Sequence, residues 1–116
     1  ASEWSSRDSR VRGGGLDAAN SGPWNLVINA TSTGLSGDMP ELPDSMPLAD
    51  AYGYDMAYGS APTPFMRWAE GRGAVAVRDG LGMLVEQAAE SFCLWLGHYP
   101  DTSGLIDTLR AARATD

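Results

Sequence analysis

Apolar residues gather along this chain in short, separated groups, and the spacing inside each group differs from one to the next. Trp24–Ala30 has Leu26-Val27-Ile28 at its centre, a continuous apolar run of the kind that forms strands covered on both faces in parallel sheets. Ala51–Met56 offers a second short strand, weakened by Gly53, and Ala74–Val77 a third. Thr63-Pro64 opens a helix: threonine suits the N-cap, and proline suits the first turn, where a missing N–H costs nothing. Phe65, Met66, Trp68 and Ala69 form its apolar side, and Gly71 to Gly73 stop it. The strongest periodicity covers Leu81 to Leu96, with apolar residues at 81, 84, 85, 88, 92, 95 and 96 and Gly97 to close the helix. A last amphipathic helix near Thr102 to Ala112 uses Leu105, Ile106 and Leu109. Asp38 to Pro47 holds three prolines and reads as irregular surface. Ala1–Asn20 is rich in Ser, Arg and Gly, with a short strand candidate at Arg10–Arg12, so residues 1–22 are expected to be a loose segment. Short strands alternating with helices predict an α/β layer architecture with a parallel sheet, part of a doubly wound one.

Composition narrows the function classes. At 116 residues one domain is expected, large enough to bury a core. The formal charge of −7 argues against a nucleic-acid or anionic-membrane surface. Every basic residue is arginine, so this chain carries no lysine base, Schiff-base lysine or P-loop lysine. A single cysteine (Cys93) and a single histidine (His98) make neither a disulfide framework nor a structural zinc site, so no metal is expected. No apolar run approaches a membrane span. A soluble cytoplasmic protein is the expectation.

In open α/β sheets, ligands bind beyond the carboxyl ends of the strands. Three such ends are visible, at Asn29–Gly34, Asp55–Tyr58 and Asp79–Gly82, each with polar groups beside glycine or small side chains. Gln87 stands out on a helix that is apolar on most sides, because a buried amide needs partners for two donors and an acceptor. It either bonds backbone or water or points at a ligand's hydroxyl or carboxylate. Tyr58 offers a phenol or packs at the surface; Met56 and Met83 offer a wall for a flat ring or fill the core. Asp79 suits an N-cap, Cys93 an inert core thiol, His98 a surface or capping role, and Glu86 with Glu90 a solvated stripe. The sequence contains no nucleophile–base pair, no paired carboxylates and no phosphate-cradling glycine motif.

Three strings carry a family resemblance. Asn29-Ala-Thr-Ser-Thr-Gly34 resembles the Asn-Ala-Thr-Ser-x-Gly motif of shikimate dehydrogenases. Tyr54-Asp-Met-Ala-Tyr58, followed by Thr63-Pro-Phe-Met66, is similar to that family's Asp-Met-x-Tyr and Thr-Pro-Phe-Leu block. Asp79-Gly-Leu-Gly-Met-Leu-Val-Glu-Gln-Ala-Ala-Glu-Ser-Phe92, with Trp95 and Pro100-Asp101, resembles its most characteristic stretch. The resemblance spans roughly Arg10 to Arg110, with the motifs in order and in register.

That resemblance implies a doubly wound, Rossmann-like nucleotide-binding domain, of which residues 23–116 are the second half plus closing C-terminal helices. The N-terminal substrate domain is absent from this chain. It implies NADP-dependent reduction of 3-dehydroshikimate to shikimate, in aromatic amino-acid biosynthesis, by an intact enzyme that is a homodimer or a monomer. Carried over by position, Met56 and Gly80 would contact NADP, with Thr31 and Ser32 lining the same pocket. Tyr58 and Gln87 would touch shikimate. No catalytic residue falls in this chain: the family's lysine, its partner aspartate, the glycine-rich phosphate loop and the Asn-Arg-Thr segment that favours NADP over NAD all lie upstream. The chain alone is therefore expected to be an inactive fragment. The alternatives are a quinate/shikimate dehydrogenase and a non-catalytic nucleotide- or metabolite-binding module.

Overall fold

A computed structural model describes residues 6–113. Three strands, β1 (Leu26–Asn29), β2 (Tyr52–Asp55) and β3 (Ala76–Arg78), form one parallel sheet in the order β1-β2-β3. Among the described residues three helices of eight or more residues accompany it: α1 (Pro64–Gly71), α2 (Leu81–Leu96) and α3 (Leu105–Arg113). Parallel neighbours need a crossover. Here β1 reaches β2 through a long irregular connection containing a 3-10 turn at Ser32–Leu35, and β2 reaches β3 through α1. The register aligns Val27, Gly53 and Val77 across the sheet, and Asn29 with Asp55 two residues further.

The expected cap of α1 is present, since the Thr63 hydroxyl oxygen accepts from the Met66 N–H at 3.2 Å. Its buried face, Phe65 and Ala69, packs on β2 and β3. A Cβ on Gly53 would stand 3.1 Å from Val77 Cγ1 and 3.2 Å from Ala69 Cβ, so the glycine that weakens β2 locally is what lets α1 settle on it. The core joins Met46, Leu48 and Ala51 to Phe65, Ala69 and Val77. The Pro-rich connection is irregular, as expected, but it is not merely surface: Met46 is buried within it, because a backbone without regular structure can still turn an apolar side chain inward.

The N-terminal segment differs from expectation at two places. Arg10–Arg12 is not a strand: Asp8 accepts from the Arg10 N–H and guanidinium, and Val11 N–H donates to Asp8 O, which closes a local turn. Residues 16–21 are not loose but form a 3-10 helix, tied down by Trp24 Nε1 donating to Ala19 O at 2.7 Å. Residues 1–5 of that segment lie outside the described residues.

Helix α2 has the expected bounds, and Gly97 ends it in the left-handed region at φ 78° with its N–H on Cys93 O. Its burial is narrower than its apolar periodicity: Leu81, Val85 and Ala89 are buried, Cys93 is half-buried, and Leu94 and Trp95 are more than 80% exposed. The helix packs on α3. α3 itself begins three residues later than its sequence pattern suggests, at Leu105. Among the described residues, a helix covers one face of the sheet only. Leu26, Ile28 and Tyr52 are each more than half exposed, although a continuous apolar run implied cover on both sides. No helix among the described residues is long and apolar enough to cross a membrane.

Candidate functional site at the carboxyl edge of the sheet

Because the strands run parallel, their carboxyl ends and the loops that follow gather at one edge. The buried polar residues Asn29, Asp55, Thr63 and Asp79 are all found there or on the loop leading from it. A carboxylate that is 1% exposed must be met by hydrogen-bond donors, or the cost of removing it from water is uncompensated. Asp55 is so met. Its Oδ1 accepts from Asn29 Nδ2 and from the Ala57 N–H, each at 3.1 Å. Its Oδ2 accepts from Thr63 Oγ1 at 2.5 Å. The Thr63 hydroxyl thus joins the end of β2 to the start of α1.

The network continues outward. Asn29 Oδ1 accepts from the Thr31 N–H at 3.2 Å and from the Thr31 hydroxyl at 2.7 Å. With its proton committed to Asn29, Thr31 Oγ1 accepts from the Thr33 hydroxyl, also at 2.7 Å. Thr31 and Ser32, both expected at the cofactor side, are exposed at this edge, and Ser32 opens the 3-10 turn.

Met56 and Gly80 are brought into direct contact. Met56 leaves β2 with its N–H on Asn29 O, and its side chain remains 41% exposed. Gly80 donates its N–H to Ala57 O at 3.1 Å, and any Cβ placed on it would overlap the Met56 carbonyl. Glycine is required here by the protein's own backbone, a reason that close approach of a ligand did not anticipate. Asp79 caps α2 from one position earlier than expected. Gly80 is the residue whose carbonyl takes the first helical bond, from Leu84, while Asp79 Oδ1 accepts from the Leu81 N–H at 3.3 Å. The same oxygen accepts from Arg110 Nη2 at 2.8 Å, which ties α3 to this edge.

The two residues expected at the substrate each follow one member of that junction along the chain. Tyr58 is half-buried two residues beyond Met56. Gln87 is exposed in the second turn of α2, where its backbone carbonyl accepts from the Ser91 hydroxyl, so it is not the buried amide that the helix wheel suggested. Two functional-site residues escaped the sequence reading: Asp55 as a hub and Arg110 as a partner of Asp79. Asp55 leaves a signal, an acidic residue closing an apolar strand, but Arg110 leaves none, since 31 residues separate it from Asp79. Chemically, the edge offers hydroxyls, an exposed thioether and a fixed backbone, which is binding equipment.

Residues 80–110 match the family described as Shikimate 5'-dehydrogenase C-terminal domain. The shikimate dehydrogenase (NADP(+)) of Alcanivorax borkumensis is 59% identical over 100 residues, 86% of this chain and 36% of that protein. That of Halorhodospira halophila is 52% identical over 103 residues, 89% of this chain and 38% of that protein. Among solved structures, the Thermus thermophilus shikimate 5-dehydrogenase in complex with NADP(H) and shikimate has a TM-score of 0.73 at 35% identity, covering 89% of this chain and 39% of that one. A 5-ketofructose reductase of Gluconobacter has a TM-score of 0.59 at 33% identity, covering 76% of this chain and 32% of that one. The chain thus spans a little over a third of the length of the curated relatives it matches. With identity of this order along most of its residues and a parallel sheet that superposes on theirs, the chain belongs to the shikimate dehydrogenase family.

Proposed function

We propose that this chain supplies one wall of the cofactor pocket and part of the substrate pocket of an enzyme that reduces 3-dehydroshikimate to shikimate with NADPH. The observation that carries the reading is the contact of Met56 with Gly80, which joins two of the family's motifs at the sheet's carboxyl edge. The residues suit the group: the exposed Met56 thioether is a soft apolar surface for a flat ring, and the Thr31 and Ser32 hydroxyls can pair with polar substituents. When bound, the nicotinamide supplies the hydride. The chain's own residues bind and orient. Thr31, Ser32, Met56 and Gly80 hold the cofactor side, while the Gln87 amide and Tyr58 phenol hydrogen-bond the substrate. Residues 23–116 act as the second half of the nucleotide-binding domain with its closing helices.

The family that this chain resembles uses a lysine to handle the proton, and the chain contains none, so on this reading that group comes from outside it. The purified 116-residue chain is accordingly expected to show no turnover of shikimate with NADP+. The intact gene product that carries it is expected to oxidise shikimate with NADP+, and to do so faster than it oxidises quinate. Faster turnover of quinate transfers the assignment to the quinate-using branch, and NADP+ binding without turnover of either supports a non-catalytic module. Gln87→Ala raises the shikimate KM, with a loss of roughly 1–3 kcal/mol for a hydrogen bond to a charged or polar partner, and leaves the NADP+ KM unchanged.

A further inference from the structure

The Asp79–Arg110 pair lies at the candidate edge and joins the first residue of the Asp79–Phe92 motif to an arginine that belongs to no motif. Asp79 is buried, its side chain 5% exposed, while Arg110 is half exposed on α3, the last helix described. The Arg110 guanidinium and the Leu81 N–H converge on the same oxygen, Asp79 Oδ1. The carboxylate therefore holds three things at once: the exit of β3, the first turn of α2 and, through Arg110, α3. Immediately after it comes Gly80, interlocked with the Met56 carbonyl and bonded to Ala57 O. A rotation of the Asp79–Gly80 peptide would drive Gly80 against Met56 or break the bond to Ala57. The position of Met56 and the seating of α3 are thus linked through a short series of direct contacts. Ile106 of α3 lies beside Gly82, in the first turn of α2, so α3 meets this region at two points.

We propose that Arg110 is a positioning residue for the cofactor side of the site: its bond to Asp79 fixes the Asp79–Gly80 turn and, through it, Met56. The proposal rests on the reading that Met56 and Gly80 face NADP. Arg110 acts through Asp79 and touches neither cofactor nor substrate. Its fork supplies a directional hydrogen bond to a buried carboxylate, which a lysine can replace in charge but not in geometry.

The test uses the intact gene product with Arg110→Gln and Arg110→Lys, reading the NADP+ dissociation constant, the shikimate KM and the thermal midpoint of each. Coupling through a short series of contacts predicts that Arg110→Gln weakens NADP+ binding about fivefold with the shikimate KM unchanged, and that Arg110→Lys recovers part of the loss. A lower thermal midpoint with unchanged NADP+ affinity overturns the proposal, because Arg110 then only anchors α3. Equal losses of NADP+ and shikimate affinity also overturn it. Absence of NADP+ binding by the unmodified protein instead overturns the cofactor reading itself, and the proposal with it.

Discussion

Asp55 satisfies three donors with one carboxylate, one at the end of β1 and two in the segment between β2 and α1, and it does so where water scarcely reaches. Asp55→Ala leaves the Asn29 amide, the Ala57 N–H and the Thr63 hydroxyl without that partner, and each unpaired buried group is expensive. A stability loss on the order of 3 kcal/mol in urea unfolding is expected, with a smaller loss for Asp55→Asn, which retains one acceptor. The two glycines at the start of α2 make a second contrast. At Gly80 a methyl group meets the Met56 carbonyl, backbone that cannot swing aside, so Gly80→Ala costs about 2 kcal/mol through overpacking. At Gly82 the nearest atom is Ile106 Cδ1 at 3.9 Å, so Gly82→Ala fits and adds up to about 1 kcal/mol of helix propensity. Thermal midpoints of the two variants should therefore move in opposite directions.

At the level of elements, sequence alone located the three strands and three helices because their signals are local. Thr63-Pro64 and Gly97 act within one turn of the helix end they define. The 3-10 helix at Leu16–Ser21 escaped notice because it is secured from outside by Trp24, and the core role of Met46 escaped because an irregular stretch has no period to read. The candidate edge was legible as three strand ends, whereas its wiring was not: the Asn29–Asp55 and Asp79–Arg110 bonds join residues 26 and 31 positions apart. The segment after α2 is a further element-scale feature. The Glu90 carboxylate beside the Tyr99 phenol favours its protonated form and is the main reason its pKa is pushed up to about 12. The folded state favours the protonated phenol, so this contact is fully present below pH 10, the ordinary value, and is lost as pH rises towards 12. Glu90→Gln should bring the Tyr99 ultraviolet titration back towards 10.

For the whole molecule, the decisive feature is a parallel sheet with a helix on one face and Leu26, Ile28 and Tyr52 open on the other. Parallel sheets are ordinarily covered on both sides, and an apolar face of this kind does not remain in water without consequence. The isolated 116-residue chain is expected to bind a hydrophobic dye and to self-associate in sedimentation velocity as its concentration rises. Ile28→Thr with Tyr52→Thr should reduce both effects, because each replaces exposed apolar surface on that face. A monomer that binds no dye would mean that the face is closed in solution.

The central claim is that the Met56–Gly80 junction faces the cofactor. It is tested most directly by titrating the intact gene product, labelled at its methionine methyl groups, with NADP+. The Met56 signal, assigned by its disappearance in Met56→Leu, should shift in a saturable way, while the buried Met46 signal stays in place. Saturable NADP+ binding that leaves the Met56 signal unmoved would contradict the account.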